Sequence, residues 1–257
     1  MGINFYVNHN YNIHRMANIE KLNNYITDFA TKYNSIESLK YLHENDYLWD
    51  KWTIFVASIQ GHLDCLRYLH ENGCPWDEDV VEQASKNGCL GCLKYLHENG
   101  CPWNKRATTY TSDYDCLKYL HENGCPWDEE AITYASGSGH LDCLKYLHEN
   151  GCSWNESAIA NASRDGHLDC LKYLHENGCP WNESAIANAS RGGHLDCLKY
   201  LHENGCSWNE SAMATASGSG HLDCLKYLVE NNCPIDFNTR NYIHFNCKEY
   251  INSIKPK

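Results

Sequence analysis

One twelve-residue phrase recurs along almost the whole chain and constrains its fold more than any other feature. The copy at 170–181 reads Cys-Leu-Lys-Tyr-Leu-His-Glu-Asn-Gly-Cys-Pro-Trp. Its counterparts begin near Ser38, Cys65, Cys92, Cys116, Cys143, Cys197 and Cys224. The first leucines of successive copies lie 27 residues apart, except for one interval of 24. A fixed period of this size predicts a solenoid, in which each repeat buries its apolar surface only against neighbouring repeats.

Each repeat is predicted to form a pair of helices, as the copy at 155–181 illustrates. Asn155 can cap a first helix over 156–163, in which most side chains are small, and Gly166 can end it in a left-handed conformation. An apolar stripe at positions i, i+3, i+4 and i+7 then marks a second helix, formed by His167, Cys170, Leu171 and Leu174. Gly178 and the following proline are expected to close this second helix.

These patterns predict an all-α fold, a curved α-solenoid of helix-turn-helix repeats. Thin first helices and bulkier second helices favour curvature with the first helices on the concave side. We expect a single domain with about eight repeats over 22–235, an N-terminal cap over 1–21 and a C-terminal cap over 236–257. The last repeat is atypical, as a capping repeat must be, because Val229 and Ile235 replace the recurring His and Trp.

Tryptophan recurs in the loop that leaves each second helix, where one repeat meets the next. These residues are Trp49, Trp76, Trp103, Trp127, Trp154, Trp181 and Trp208. The sequence predicts that they belong to the core, and truncation of a buried one to Ala would cost about 3–5 kcal/mol.

The shortened interval falls on residues 107–115, which lack three residues at the turn between the two helices. We expect a local kink or a weakened interface between repeats around Ser112 to Asp115.

Charge and composition exclude several classes of function. The net charge of -12 disfavours nucleic acid and favours a basic or amphipathic partner. No apolar run is long enough to span a membrane, and the stretch from Met1 to Glu20 does not resemble a signal peptide, so we expect an intracellular, cytoplasmic protein. Most of the sixteen cysteines fall in two slots of the repeat, too far apart to pair, and should be buried free thiols.

The residues 162–174, followed by Glu176, Gly178 and Asn182, resemble the ankyrin repeat from its Gly-His turn to its exit loop. The likeness extends over roughly 22–234, but each repeat lacks six residues of the ankyrin period of 33 at the position of the ankyrin β-hairpin. Ser157-Ala158-Ile159-Ala160 also replaces the Thr-Pro-Leu-His opening. The chain is similar to the hairpin-less ankyrin-like repeats of giant amoeba-infecting DNA viruses, and the resemblance implies protein binding through the concave face.

No catalytic, cofactor or metal site is predicted, although two patterns leave alternatives open. His-x-x-Cys pairs such as His167 and Cys170 have a spacing that suits zinc, but a tetrahedral site would need ligands from two repeats about 10 Å apart. The Cys89–Cys92 pair could be redox-active at a helix start, yet Cys89 only occupies the slot that His fills in other repeats. The recurring His-Glu-Asn-Gly-Cys lacks the second His of a metalloprotease helix.

The leading hypothesis is a non-enzymatic module that binds a protein through the concave groove, with a host factor as its partner if the chain is viral. The candidate contacts are positions that vary at the end of the first helix: Gln83, Lys86, Asn87, Tyr134, Gly137, Ser138, Asn161, Arg164, Asp165, Asn188, Arg191, Thr215 and Ser219. Two nearly identical repeats, 153–179 and 180–206, suggest that the divergent repeats before Asp115 make the contact. A monomer is expected; a self-associating component of a larger assembly is the second hypothesis, and a thiol or zinc enzyme the third.

Overall fold

A computed structural model describes residues 25–234 and 243–253. The chain divides into two compact units, Met1–Pro126 (unit 1) and Trp127–Lys257 (unit 2), which are described separately below. The predicted N-terminal cap at 1–21 and the substitution at Ile235 lie outside the described residues. The division into a single domain with two caps stays a prediction.

Each unit is a stack of helix pairs. In unit 1 the pairs are α1 (25–32) and α2 (Ile36–Glu44), α3 (Lys51–Gln60) and α4 (Leu63–Glu71), α5 (Glu78–Lys86) and α6 (Leu90–Glu98), α7 (Lys105–Thr109) and α8 (Tyr114–Glu122). In unit 2 they are α9 (Glu129–Gly137) and α10 (Leu141–Glu149), α11 (Glu156–Asp165) and α12 (Leu168–Glu176), α13 (Glu183–Gly192) and α14 (Leu195–Glu203), α15 (Glu210–Ser219) and α16 (Leu222–Glu230), followed by α17 (Phe245–Ser253). The part of the chain that the structure describes contains no strand, so the predicted α-solenoid without β-hairpins is confirmed.

The first helices begin and end at the residues that the sequence indicates. The side chain of Asn155 accepts a hydrogen bond from the backbone N–H of Ser157 at 2.9 Å, which caps α11. Gly166 has a φ of 81° and returns its own N–H to the carbonyl of Ala162. The helix reaches Asp165, two residues beyond the predicted end at Ser163, because the left-handed glycine and not the preceding serine stops it.

The second helices supply the large side chains of the core. In α12, Cys170, Leu171 and Leu174 are buried, and His167 stands just before the helix at its N-cap. In unit 1 the equivalent residues join one continuous core from Leu39 to Cys125. Each fully buried leucine contributes about 1.5–3 kcal/mol relative to an exposed one, so the two leucine positions stabilise each second helix from α2 to α16.

In unit 2 the turn between the two helices of a repeat packs against the histidine of the next repeat. A Cβ placed on Gly139 would collide with the imidazole of His167 in the next repeat, and Gly166 stands in the same relation to His194. Glycine is therefore required there both for its positive φ and for space. In unit 1 the imidazole of His62 bonds to the backbone of the preceding repeat, because its Nδ1 lies 2.8 Å from the carbonyl oxygen of Thr31.

The tryptophans are not core residues, which corrects the prediction from the sequence. Trp181 is half-buried and stacks on the His175 ring with centroids 4.0 Å apart. The Nδ1 of His175 lies 2.8 Å from the hydroxyl of Tyr200 in the next repeat, and Lys172 lies over that Tyr ring. A His, Trp and Tyr cluster thus joins neighbouring repeats near the surface, where truncation of the Trp removes less burial than a core aromatic would.

In the shortened repeat both the first helix and the turn differ from those of the other repeats. Helix α7 has 5 residues, whereas α5 has 9, and an irregular segment leads from its end to α8. Two hydroxyls of this segment bond to the preceding repeat: Thr111 Oγ1 donates to the carbonyl of Ser85 at 3.1 Å, and Ser112 Oγ to that of Lys86 at 2.7 Å. These bonds join the segment to the preceding repeat; the predicted weakness of this interface stays a prediction.

All sixteen cysteines are free thiols, and all except Cys89 are buried. Those in the exit loop have a specific partner, since Cys179 Sγ donates to the carbonyl of Asn155 at 3.3 Å. Burial raises the pKa of Cys179 to about 12, so the thiol stays protonated at neutral pH. This confirms the role of cysteine as a small buried residue of the repeat.

Candidate protein-binding face

The first helices pack side by side within each unit and leave one side uncovered, here called the first-helix face. In α11, Ala158, Ile159 and Ala162 are buried, whereas Asn161 is half-buried and Arg164 exposed. The residue pattern therefore separates positions that stack the repeats from positions that solvent reaches.

Every predicted contact residue lies on a first helix or at the residue that caps its end. In unit 1 these are Gln83, Lys86 and Asn87 at α5. In unit 2 they are Tyr134, Gly137 and Ser138 at α9, Asn161, Arg164 and Asp165 in α11, Asn188 and Arg191 in α13, and Thr215 and Ser219 in α15. All of them are exposed or half-buried.

Neighbouring first helices of unit 2 bring some of these residues together. A Cβ on Gly137 would stand 3.1 Å from the Cβ of Asn161 and 3.4 Å from a carboxylate oxygen of Asp165, so these two residues pack closely over the glycine. Arg164 makes two hydrogen bonds to Asp165, at 3.0 and 2.8 Å. These hydrogen bonds are the main reason that the pKa of Asp165 is lowered.

The next repeat carries the same arginine without its acid, because Gly192 replaces Asp165. Arg191 is exposed and has no ion-pair partner among residues 25–234 and 243–253. Two almost identical repeats therefore present one neutralised and one uncompensated guanidinium. The side chain of Thr215 bonds to the neighbouring helix, because its Oγ1 donates to the Ala187 carbonyl at 2.9 Å.

In unit 1 the three predicted contacts differ in how far their side chains are held by hydrogen bonds. The side-chain amide of Asn87 donates to the carbonyl of Gln83 at 2.9 Å, which closes the end of α5. The backbone of Lys86 accepts the bond from Ser112 described above, whereas its side chain is exposed. Of the three, Lys86 offers the freest side chain for contact with a partner.

The structure adds residues to this face that the sequence pattern does not reveal. Helix α3 presents Trp52, which is 55% exposed and stacks on Phe55 with ring centroids 4.6 Å apart. On α5 and α7, the buried carboxylate of Glu82 forms an ion pair with Arg106 at 3.0 Å. A signal exists when the repeats are aligned, because these residues replace small side chains such as Ala160 and Ser157 of α11.

The residues considered for thiol or metal chemistry do not form such a site in the described part of the chain. No group of three His, Cys, Asp or Glu side chains within residues 25–234 and 243–253 is arranged to hold a metal ion. Burial raises the pKa of Cys89, with a smaller contribution from Asp113, and burial raises that of Cys92 to about 12. A raised pKa keeps the thiol protonated and lowers its reactivity as a nucleophile or redox group.

Two comparisons with known proteins gave matches. The family model described as "Ankyrin repeats (3 copies)" matches residues 105–184 and 159–241, which together span more than half of the chain. The chain belongs to the ankyrin repeat family. Among solved structures, this ankyrin repeat chain is similar to the human ASB11 ankyrin repeat domain, with 18% identity and a TM-score of 0.46, over 79% of this chain and 99% of that one. No curated protein matches the chain.

The resemblance predicted from the repeats is thereby confirmed, and the viral origin stays a prediction. Within residues 25–234 and 243–253, this ankyrin repeat chain has no helix with both the length and the apolar character needed to cross a membrane.

Proposed function

We propose that this ankyrin repeat protein is a non-enzymatic module that binds a protein partner through the first-helix face. Ankyrin repeats generally serve in protein–protein interaction, and family membership carries this coarser assignment. The finer proposal rests on one observation: apart from the nearly identical pair α11 and α13, the first helices differ in their exposed side chains, whereas their buried positions are nearly constant.

That separation is what a recognition surface requires. Leu66 and Leu171, equivalent residues of the two units, are both fully buried. At the position where α11 exposes Arg164, α5 exposes Lys86 and α15 has Gly218. A surface can acquire specificity in this way without loss of stability, because exposed substitutions alter the free energy of unfolding little.

The partner that we propose is an intracellular protein, and a host factor if the chain is viral. The net charge of -12 favours a partner with basic side chains, since opposite charges accelerate association and like charges oppose it.

Affinity capture from a host-cell lysate, with the purified full chain as bait, tests the face. Alanine substitutions at Lys86, Tyr134 and Arg164 should each reduce recovery of a specific partner relative to the wild type. Glu176→Ala provides the matched control, because Glu176 is exposed at the end of the second helix α12. Equal recovery by all four variants would place the contact elsewhere.

A self-associating component of a larger assembly is the second candidate, and the first described repeat favours it. Tyr33 and Tyr41 are each 64% exposed at an apolar depression between α1 and α2. Light scattering over a wide concentration range should show growth in mass if this surface joins copies. A constant monomer mass at high concentration would remove this candidate.

A thiol or zinc enzyme is the third hypothesis, and the raised thiol pKa values weigh against it. Elemental analysis should find less than one equivalent of zinc per chain, and alkylation of the folded protein at neutral pH should be slow at every cysteine. Stoichiometric zinc or a single fast thiol would revive it.

A further inference from the structure

Helix α3 exposes an apolar stripe along its length. Trp52, Phe55, Val56 and Ile59, here called the α3 apolar face, follow the spacing i, i+3, i+4 and i+7. Trp52 is 55% exposed and the other three are half-buried. The same four positions of α11 hold Ser157, Ala160, Asn161 and Arg164.

The apolar surface continues onto the neighbouring helix. Phe29 of α1 occupies the repeat position of Val56 and is 53% exposed. The two helices are fixed side by side there, because Thr53 Oγ1 of α3 donates to Asp28 Oδ1 of α1 at 2.7 Å. Large exposed aromatic side chains on adjacent helices are typical of interaction surfaces in proteins.

Acidic residues flank this surface on both sides. Asp28 in α1 and Glu82 in α5 occupy the repeat position that Phe55 holds in α3. Arg106 neutralises Glu82, whereas Asp28 has no ion-pair partner among residues 25–234 and 243–253. Asp28 is half-buried, and burial is the main reason that its pKa is raised, so a cation beside it would be favourable.

We propose that the α3 apolar face binds an amphipathic helical segment of the partner, with aliphatic side chains against Trp52 and Phe55 and a Lys or Arg beside Asp28. This inference rests on the proposed function and assigns both the site and the chemistry of the partner. A stripe along one helix fits a second helix laid against it, because rows of side chains on the two helices interlock.

Charge decides between the possible occupants. A second copy of the chain would bring another net charge of -12, and repulsion between two chains of like charge disfavours their association. A basic segment brings the opposite charge and also satisfies Asp28.

The test uses a fluorescent peptide of about 18 residues, or five helical turns, made of Leu and Lys with leucines along one side. Its affinity for the full chain is measured by fluorescence polarisation. The double variant Trp52→Ser with Phe55→Ala, which introduces the residues of α11, should bind at least about 10-fold more weakly, the size of effect expected for hot-spot aromatics. Its charge is unchanged and Ile54 remains in the core, so circular dichroism should report the wild-type fold.

Two further measurements address charge. Asp28→Asn keeps an acceptor for Thr53 and should weaken binding a few-fold, with a shallower dependence on salt. A peptide with Glu in place of Lys should not bind. Equal affinity of wild type and double variant for the Lys peptide, or binding of the Glu peptide, would overturn the proposal.

Other occupants give distinct results, each of which would also overturn it. Concentration-dependent dimerisation of the wild type that the double variant lacks would identify a second copy. Tighter peptide binding after Ile13→Ser and Met16→Ser in the full chain would identify the chain's own N-terminal segment. If the double variant binds the peptide as tightly as the wild type does, while alanine at Arg164 abolishes partner capture, the proposed function stands and only this inference fails.

Discussion

Units 1 and 2 share one buried framework and differ on the first-helix face. In unit 2 the repeats 153–179 and 180–206 differ only by Ser153 or Pro180 and by Asp165 or Gly192, and their exposed positions are small or polar. In unit 1 each first helix is distinct, with apolar residues on α3 and an ion pair between the buried Glu82 of α5 and the half-exposed Arg106 of α7. Stacking therefore leaves the exposed positions of the first helices free to differ, so we expect specificity to reside mainly in unit 1.

The turns between helices also differ between the units. In unit 2 the glycine of each turn packs against an imidazole of the next repeat, as Gly166 does against His194. In unit 1 a Cβ on Gly88 would stand 3.2 Å from the Cβ of Asp113, because Asp replaces the imidazole. The ring fills the space over the turn more completely, and substitution there should therefore be more costly in unit 2.

Gly166→Ala should have the largest effect of the changes considered. A left-handed conformation costs a non-glycine residue about 1–2 kcal/mol, and insertion of a methyl group against His194 adds about 1–3 kcal/mol. We expect a loss of about 2–5 kcal/mol in the free energy of unfolding, measured by urea denaturation.

Two matched glycines separate the cost of the left-handed conformation from the cost of the contact with the imidazole. Gly178 has a φ of 83°, and no neighbouring atom lies within 4 Å of the place that an alanine methyl would take, so Gly178→Ala should lose only the conformational part. Gly88→Ala should fall between the two. If all three variants lose the same stability, contact with the imidazole does not distinguish the turns of unit 2.

How much of this can be read from the sequence depends on the distance between interacting residues. The N-cap Asn155, the turn Gly166 and the stripe Cys170, Leu171 and Leu174 follow local rules, and the structure has them as predicted. The contact of His175 with Tyr200 spans two repeats. It depends on how closely the repeats stack, which the sequence pattern does not give.

The candidate face shows a different kind of limit. Variation at the end of the first helix predicts the exposed positions of α11 and α5. It does not identify Trp52, because an aromatic residue in a repeat is ordinarily assigned to the core. Alignment with Ser157 of α11 marks the residue as unusual, and its exposed fraction of 55% shows that it lies at the surface. The sequence does not reveal the short α7 either, because a repeat that is three residues shorter can lack them in the turn or in the helix.

Arg106→Ser tests the ion pair that distinguishes unit 1. Glu82 is 7% exposed, and loss of its partner leaves a buried carboxylate uncompensated. Because Arg106 itself is about half exposed, we expect a loss of about 1–3 kcal/mol at neutral pH, less than for a fully buried pair. Thermal and urea unfolding would measure it.

A second variant and the pH dependence make this test specific. Glu82→Ala with Arg106→Ser reproduces Ala160 and Ser184 of unit 2 and should recover most of the stability. Burial raises the pKa of Glu82 from its ordinary 4.5 and Arg106 lowers it, so the pKa should rise further in the single variant. The loss of stability caused by the ionised Glu82 is then present above the raised pKa and disappears as the pH falls below 4.5, where the carboxyl is protonated in both the folded and the unfolded chain. A loss that does not vary with pH would contradict this account.

Thr111→Val should have the smallest effect, and it tests the shortened repeat. The change keeps the shape of the side chain but removes the buried hydrogen bond to Ser85, for a loss of about 0.5–1.5 kcal/mol in the free energy of unfolding. Thr215→Val in unit 2 is the control, because that hydroxyl is half-buried and also bonds to Ser211 in its own helix, so the loss should be smaller. Native-state hydrogen exchange should show faster opening of α7 in the Thr111 variant alone. A neutral Thr111→Val would mean that the hydroxyls do not compensate for the missing helical turn, and the interface there would be the weak one that the sequence predicts.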